Sequence, residues 1–247
     1  MIRKTYIILA ILGVAVTITV VILGLNFTKN ETDETVPIEP SNCEMPWEWN
    51  VIYVDYSIDW NDIGTDIKAA TDACFNVIII SFWISGRLAD AAQVWGQTMS
   101  EQQRQSALDY AHHHGARVIL AGGGATENIE NKVASHEGRE YGKSLAEDAI
   151  KYGFDGVDFD LELKPGNNQP FYDGTMQEFL LAASHAAREI LGPDRVITHA
   201  PQAPYLGTWA GPGFGYTELM KDPSCEIDFV SIQFYSALNN FGPTTSI

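Results

Sequence analysis

The chain has 247 residues, 45% of them hydrophobic and 11% aromatic, which is enough for one sizeable domain. A formal net charge of −17, with no basic patch or stripe, argues against a partner held through a nucleic-acid backbone; it suits a domain acting on a neutral ligand. Cys43, Cys74 and Cys225 lack zinc-ligand spacing, and an odd count allows one internal disulfide at most.

In chain order, Arg3 and Lys4 precede an uncharged apolar run, Tyr6–Leu25, of the length that spans a bilayer. It has no clear small-residue cleavage site and exceeds the usual signal core, so residues 1–25 are expected to be a signal anchor with the basic end cytoplasmic, the alternative being a cleaved signal peptide. Either way the domain enters the secretory pathway, as a type II membrane-anchored or extracellular protein. The membrane is then a partner through this segment only. Residues 26–46 turn polar, acidic and proline-bearing and read as a linker, with N-glycosylation sequons at Asn26 and Asn30.

Residues 47–247 alternate strand and helix. The expected strands are Val51–Tyr56, Asn76–Trp83, Arg117–Ala121, Phe154–Leu163, Arg195–Ala200 and Phe229–Tyr235, several of them short β-branched runs suited to a parallel sheet. Ser100 with Gln103 forms a capping box before a helix that Gly115 can end. Tyr141, Leu145, Ala149 and Tyr152 make an apolar stripe closed by Gly153. Thr175 with Glu178 begins a further helix, stopped at Gly192-Pro193. Such β–α units build either an open doubly wound sheet or a (β/α) barrel, and spacing does not choose between them. The absence of G-x-G-x-x-G after the first strand weakens the dinucleotide-binding version.

The stretch Phe154–Leu163 reads FDGVDFDLEL. As a strand it places Val157, Phe159 and Leu161 on one face and Asp158, Asp160 and Glu162 on the other, at steps of roughly 6.5–7 Å. A buried row of carboxylates is poorly solvated and self-repelling; both effects raise carboxyl pKa values, so at least one group holds a proton near neutral pH, as general acid catalysis requires. A solvated edge strand and a divalent-metal site are the competing readings. Acids lining the inside of a strand suit a barrel, whose active sites lie at the C-terminal strand ends.

Asp155-x-x-Asp158-x-Asp160-x-Glu162 matches D-x-x-D-x-D-x-E, and on it the chain resembles glycoside hydrolase family 18, the chitinase family. Ala121-Gly122-Gly123-Gly124 sits where that family has S-x-G-G, with Ala121 in place of the serine. Thr198-His-Ala-Pro-Gln202 resembles the T-x-A-P-Q segment, and Gln233-Phe-Tyr235 the Q-F-Y segment, of the family's plant and fungal, hevamine-type branch. The resemblance implies a (β/α)8 TIM-type barrel. It also implies retaining, endo-acting hydrolysis of β-1,4-linked N-acetylglucosamine polymers, chiefly chitin, in which the substrate's own acetamido group is the nucleophile and no metal or cofactor is needed. Implied roles are Glu162 as acid and base, Asp160 as orienter of the acetamido nitrogen, Asp158 as proton-sharing support and Tyr235 as donor to the acetamido oxygen. Gln233, Gln202 and Gly123 are expected at the cleft, and Tyr53 and Phe82 as an aromatic floor. Ser236 stands where the family usually has Asn or Asp. The His112-His113-His114 run is a weaker metal candidate than a complement to a helix dipole, and His199 a weaker cleft-lining candidate. Only six strands can be counted, so the barrel is expected to be incomplete after the sixth. The alternatives are an endo-β-N-acetylglucosaminidase on glycans, a non-catalytic chitin- or glycan-binding module, whose relatives typically lose the glutamate kept here as Glu162, and an inactive fragment.

Overall fold

All six expected strands are present in the computed structural model, which describes residues 49–57, 59–162, 175–206 and 216–233. The strands are β1 (Val51–Val54), β2 (Val77–Ile84), β3 (Arg87–Leu88), β4 (Arg117–Gly123), β5 (Gly156–Asp160), β6 (Val196–His199) and β7 (Phe229–Val230), the unexpected one being β3. The ladder runs β1-β2-β4-β5-β6-β7 with every pairing parallel, and β3 folds back antiparallel on β2. This sequential order has no point where the sheet reverses, which removes the doubly wound alternative. The sheet is a curled half-barrel with helices on its outer face. Those helices are α1 (Gly64–Asp72), α2 (Asp90–Gln93), α3 (Glu101–His113), α4 (Ile129–Ala134), α5 (Gly138–Lys151), α6 (Thr175–Leu191) and α7 (Tyr216–Leu219).

The hairpin β2–β3 turns on Ser85 and Gly86, with φ of 44° and 91°. Two successive positive φ values are those of a type I′ turn, whose twist suits two-residue hairpins. The capping box of α3 forms as expected: Gln103 N–H donates to Ser100 Oγ at 3.3 Å, and Gln103 Oε1 accepts the Ser100 N–H at 2.9 Å. The stripe of α5 is buried at Tyr141, Leu145 and Ala149. At Gly142 a Cβ would lie 2.0 Å from the Ala183 carbonyl oxygen, so α5 and α6 approach backbone to backbone only because that side chain is missing.

Alternation divides the core into two layers. Ile78, Ile80, Val118, Leu120, Val157, Phe159 and Ile197 point outward and pack under the helices. Val77, Ile79, Ile119, Ala121 and Val196 point inward and pack with Val51, Tyr53, Phe82 and Phe229. A fully buried side chain such as Phe159 contributes roughly 1.5–3 kcal/mol by leaving water.

The strand starts share one device. Asn76 Oδ1 accepts the Asn50 N–H at 2.6 Å, Asp155 Oδ2 the Val118 N–H at 2.8 Å and Asp228 Oδ2 the Ile197 N–H at 2.7 Å. In each case the Asn or Asp backbone N–H returns a bond to the partner's carbonyl. The acid-motif residue Asp155 is therefore a staple at the foot of β4 and β5, remote from the C-terminal ends of those strands. It also meets His112 Nε2 at 2.9 Å, and His114 Nδ1 pairs with the Tyr110 carbonyl at 2.8 Å. The histidine run is thus structural, and no cluster able to hold a metal occurs among the described residues. Cys74 is disulfide-bonded and Cys225 is free. The expected anchor Tyr6–Leu25 and the linker lie outside the described residues; among those described, no helix is long and apolar enough to cross a membrane.

Candidate active site

The acidic row rises along β5 from the barrel interior to its C-terminal mouth. Asp158 is in register with Ala121 on one side and Thr198 on the other, and Asp160 with Gly123; Glu162 follows just beyond the ladder. Burial falls in the same order, from fully buried Asp158 through Asp160 to partly buried Glu162. The backs of these residues are held by Val157, Phe159 and Leu161, all in the outer core. The edge-strand reading of the row is thereby removed.

Each carboxylate has its own donor. Thr198 Oγ1 donates to Asp158 Oδ1 at 2.5 Å and the Tyr53 hydroxyl to Asp158 Oδ2 at 3.0 Å. Gln233 Nε2 donates to Asp160 Oδ1 and to the Ala200 carbonyl, the latter at 2.9 Å. Gln202 Nε2 donates to Glu162 Oε2 at 3.3 Å. Burial pushes Asp158 up to about 6 against the pull of Thr198 and Tyr53. Burial, then the charges of Glu162 and Asp158, raise Asp160 well above the usual carboxylate range. Glu162 is raised by burial and opposed only by Gln202. The three shifts share one sign, so the row retains protons toward neutral pH. Burial, followed by the charges of Asp158 and Asp160, raises the Tyr53 hydroxyl, which therefore stays a neutral donor.

The glycine turn after β4 closes on this row. Gly123 has φ of 119°, and a Cβ there would lie 2.0 Å from the Asp160 carbonyl oxygen. The Gly124 N–H donates to that same oxygen at 2.7 Å, and the ring of Phe82 lies against Gly124. Ala121 presents only a methyl where the family's serine hydroxyl would stand; Asp158 takes its donors from Thr198 and Tyr53 instead.

Tyr53, Phe82, Gly123, Asp158, Asp160, Glu162, Gln202 and Gln233 therefore converge, and a parallel bridge joins Gln202 to Gln233. Tyr235 lies outside the described residues. His199 does not line the cleft. It points outward against Phe159, with Nδ1 at 3.1 Å from the Tyr216 hydroxyl and Nε2 at 3.0 Å from Ser184 Oγ. Since Ser184 donates to the Leu180 carbonyl at 2.7 Å, it accepts from a protonated His199 Nε2; burial lowers the imidazole to about 3, so the ring is neutral and Nδ1 accepts from the Tyr216 hydroxyl. Two contributors went unread in the sequence. Thr198 is the first residue of the T-x-A-P-Q segment and so was visible there. Asp55 follows Tyr53 by two, immediately past the C-terminal end of β1; it is raised by burial and by Asp90, and its charge in turn raises Asp160.

The model of glycosyl hydrolases family 18 matches residues 50–247. A chitinase of Enterococcus faecalis is 25% identical over 198 residues, covering 75% of this chain and 54% of that protein. Chitinase D of Niallia circulans is 26% identical over 200 residues, covering 74% of this chain and 37% of that protein. The chain thus spans about half or less of the length of these relatives. The crystal structure of a GH18 chitinase from Pseudoalteromonas aurantia superposes with a TM-score of 0.58 at 25% identity, covering 75% of this chain and 67% of that one. A putative Chitinase A from Streptomyces coelicolor shares the fold, with a TM-score of 0.54 at 22% identity, over 75% of this chain and 60% of that one. All four are bacterial, so the plant and fungal branch rests on the two short motifs alone. The matched span takes in the whole half-barrel and every residue of the acidic row, and on that ground the chain belongs to glycosyl hydrolases family 18.

Proposed function

We propose that the complete protein cleaves β-1,4-linked N-acetylglucosamine polymers, chiefly chitin, as an endo-acting, retaining hydrolase. The observation that carries this reading is the graded acidic row, each member raised in pKa and each held by a separate donor. The described half-barrel is taken to belong to a (β/α)8 fold, and the N-terminal segment to deliver the domain through the secretory pathway. Membrane contact is through that segment alone.

In this scheme protonated Glu162, nearest the mouth, gives its proton to the glycosidic oxygen as the bond from the anomeric carbon to that oxygen breaks. The acetamido carbonyl oxygen of the same sugar attacks the anomeric carbon and forms an oxazolinium ion. Asp160, held by Gln233, accepts from the acetamido N–H and balances the positive charge. Asp158 shares a proton with Asp160 and keeps it oriented. Tyr235 donates to the acetamido oxygen, a role resting on the Q-F-Y motif. Water then attacks the anomeric carbon, displacing the acetamido oxygen and restoring the acetamido group, while the Glu162 carboxylate takes the water's proton and becomes the acid again. Tyr53 and Phe82 line the floor beneath the sugar. The scheme needs no metal or cofactor. Incubating the full-length protein with a chitin hexamer tests it: NMR of the fresh products is expected to show β-anomers, and α-anomers would overturn retention.

A further inference from the structure

Glu127, in the turn after β4, is a buried acid that this chemistry does not use; it is only 3% exposed. Its Oε1 accepts from Ser85 Oγ at 2.6 Å and from the Asn128 N–H at 3.0 Å, and its own N–H donates to the Gly124 carbonyl at 3.0 Å. Ser85 is in the β2–β3 turn, and that hairpin is clamped by the paired bonds between Phe82 and Ala89, at 3.1 and 2.8 Å. The Phe82 ring returns to Gly124. The contacts form a closed circuit: Gly124, Glu127, Ser85, Phe82 and back to Gly124. One member of the circuit, the Gly124 N–H, is bonded to Asp160. A buried carboxylate costs more to desolvate than an apolar residue of similar size, so simple filling does not explain it. Its Oε2 and the nearby Tyr141 hydroxyl are buried without partners among the described residues, which adds to that cost.

We propose that Glu127 is a positioning residue: it locks the Gly123–Gly124 turn to the β2–β3 hairpin and thereby fixes the carbonyl end of Asp160 and the ring of Phe82 in the cleft. Its catalytic consequence rests on the chitin-cleaving reading above; its structural consequence does not. A misplacement of about 1 Å in such a site can lower the rate about 10²-fold.

The test compares full-length wild type with Glu127→Leu, Glu127→Gln and Ser85→Ala by amide exchange and by chitin-hexamer kinetics. In Glu127→Leu the Gly124 amide is expected to exchange at least about tenfold faster while the β6 amides are unchanged, and kcat to fall about 10–100-fold with KM within about threefold. Glu127→Gln keeps an acceptor oxygen and should retain both properties. Ser85→Ala should shift both in the direction of Glu127→Leu, and it decides the matter if that variant does not fold. Unchanged Gly124 exchange, or a uniform rise across the sheet, overturns the proposal, as does a glutamine variant as impaired as the leucine one. Inactive wild type with the local exchange effect intact overturns the chitin reading and leaves the clamp standing.

Discussion

Thr198→Val removes one hydrogen-bond donor from the bottom of the acidic row while nearly conserving shape. Asp158 is fully buried, and its charged form is held by two donors, Thr198 at 2.5 Å and Tyr53 at 3.0 Å. A hydrogen bond to a charged group contributes roughly 1.5–3 kcal/mol, and one pKa unit corresponds to about 1.4 kcal/mol. Losing the Thr198 donor should therefore raise Asp158 by roughly 1–2 units, from about 6 to roughly 7–8. At pH 7 the wild-type group is mostly ionised and the variant's mostly protonated. Stability follows with a defined sign. A carboxyl whose folded pKa is raised stabilises the fold fully below its unfolded value of 3.8 and loses that contribution as pH rises through about 6. In the variant the loss extends to higher pH. The assay is a carbon-13 titration of aspartate carboxyl resonances in wild type and variant. An unchanged or lowered Asp158 midpoint would refute the assignment of Thr198 as the donor that holds Asp158 ionised.

Burial lowers His199 to about 3, so the unfolded chain gains a proton below 6.5 that the folded chain refuses, and stability from this group is lost as pH falls. The stability gap between wild type and His199→Gln is expected to narrow by roughly 2 kcal/mol from pH 7 to pH 5 in urea titrations, and a pH-independent gap would contradict it. Asp155→Ala leaves the Val118 N–H without its acceptor and should cost roughly 1–3 kcal/mol in denaturant unfolding while kcat stays within about twofold; a large fall in kcat without loss of stability would contradict the structural role of Asp155. Gly123→Ala would force a Cβ to 2.0 Å from the Asp160 carbonyl at a positive φ, so both melting temperature and cleavage should drop, and a neutral outcome would mean the turn can move.

Much of this was legible because period-two alternation is physical. Asp158, Asp160 and Glu162 had to share a face once Val157, Phe159 and Leu161 were buried, and the structure keeps that division. Strand order was not legible, since loop lengths are similar for sequential and reversed sheets; hydrogen bonding alone reveals it. His199 was misassigned because Val196, Ile197, Thr198 and His199 carry no polarity contrast between faces. Register against Asp158 turns Thr198 inward and therefore His199 outward. Phe82 follows outward-facing Ile78 and Ile80 by even steps, yet it faces inward, because the register shifts between Ser81 and Trp83. The hairpin to β3 had a signal in Ser85-Gly86, but two-residue strands carry no periodicity of their own.

The most direct test of the central claim is cleavage of a chitin hexamer by the full-length protein and by Glu162→Gln and Asp160→Asn, singly and combined, with a cellulose hexamer as control. The account predicts a fall of at least ~10²–10⁴-fold for Glu162→Gln with oligomer binding retained, since the glutamine keeps the size but donates no acidic proton. Asp160→Asn should also slow cleavage, with the double variant no worse than the more damaged single one, because both residues serve one oxazolinium-forming step. Cellulose, which lacks the acetamido nucleophile, should not be cut. Comparable cleavage of cellulose, or undiminished chitin cleavage by Glu162→Gln, would contradict the account.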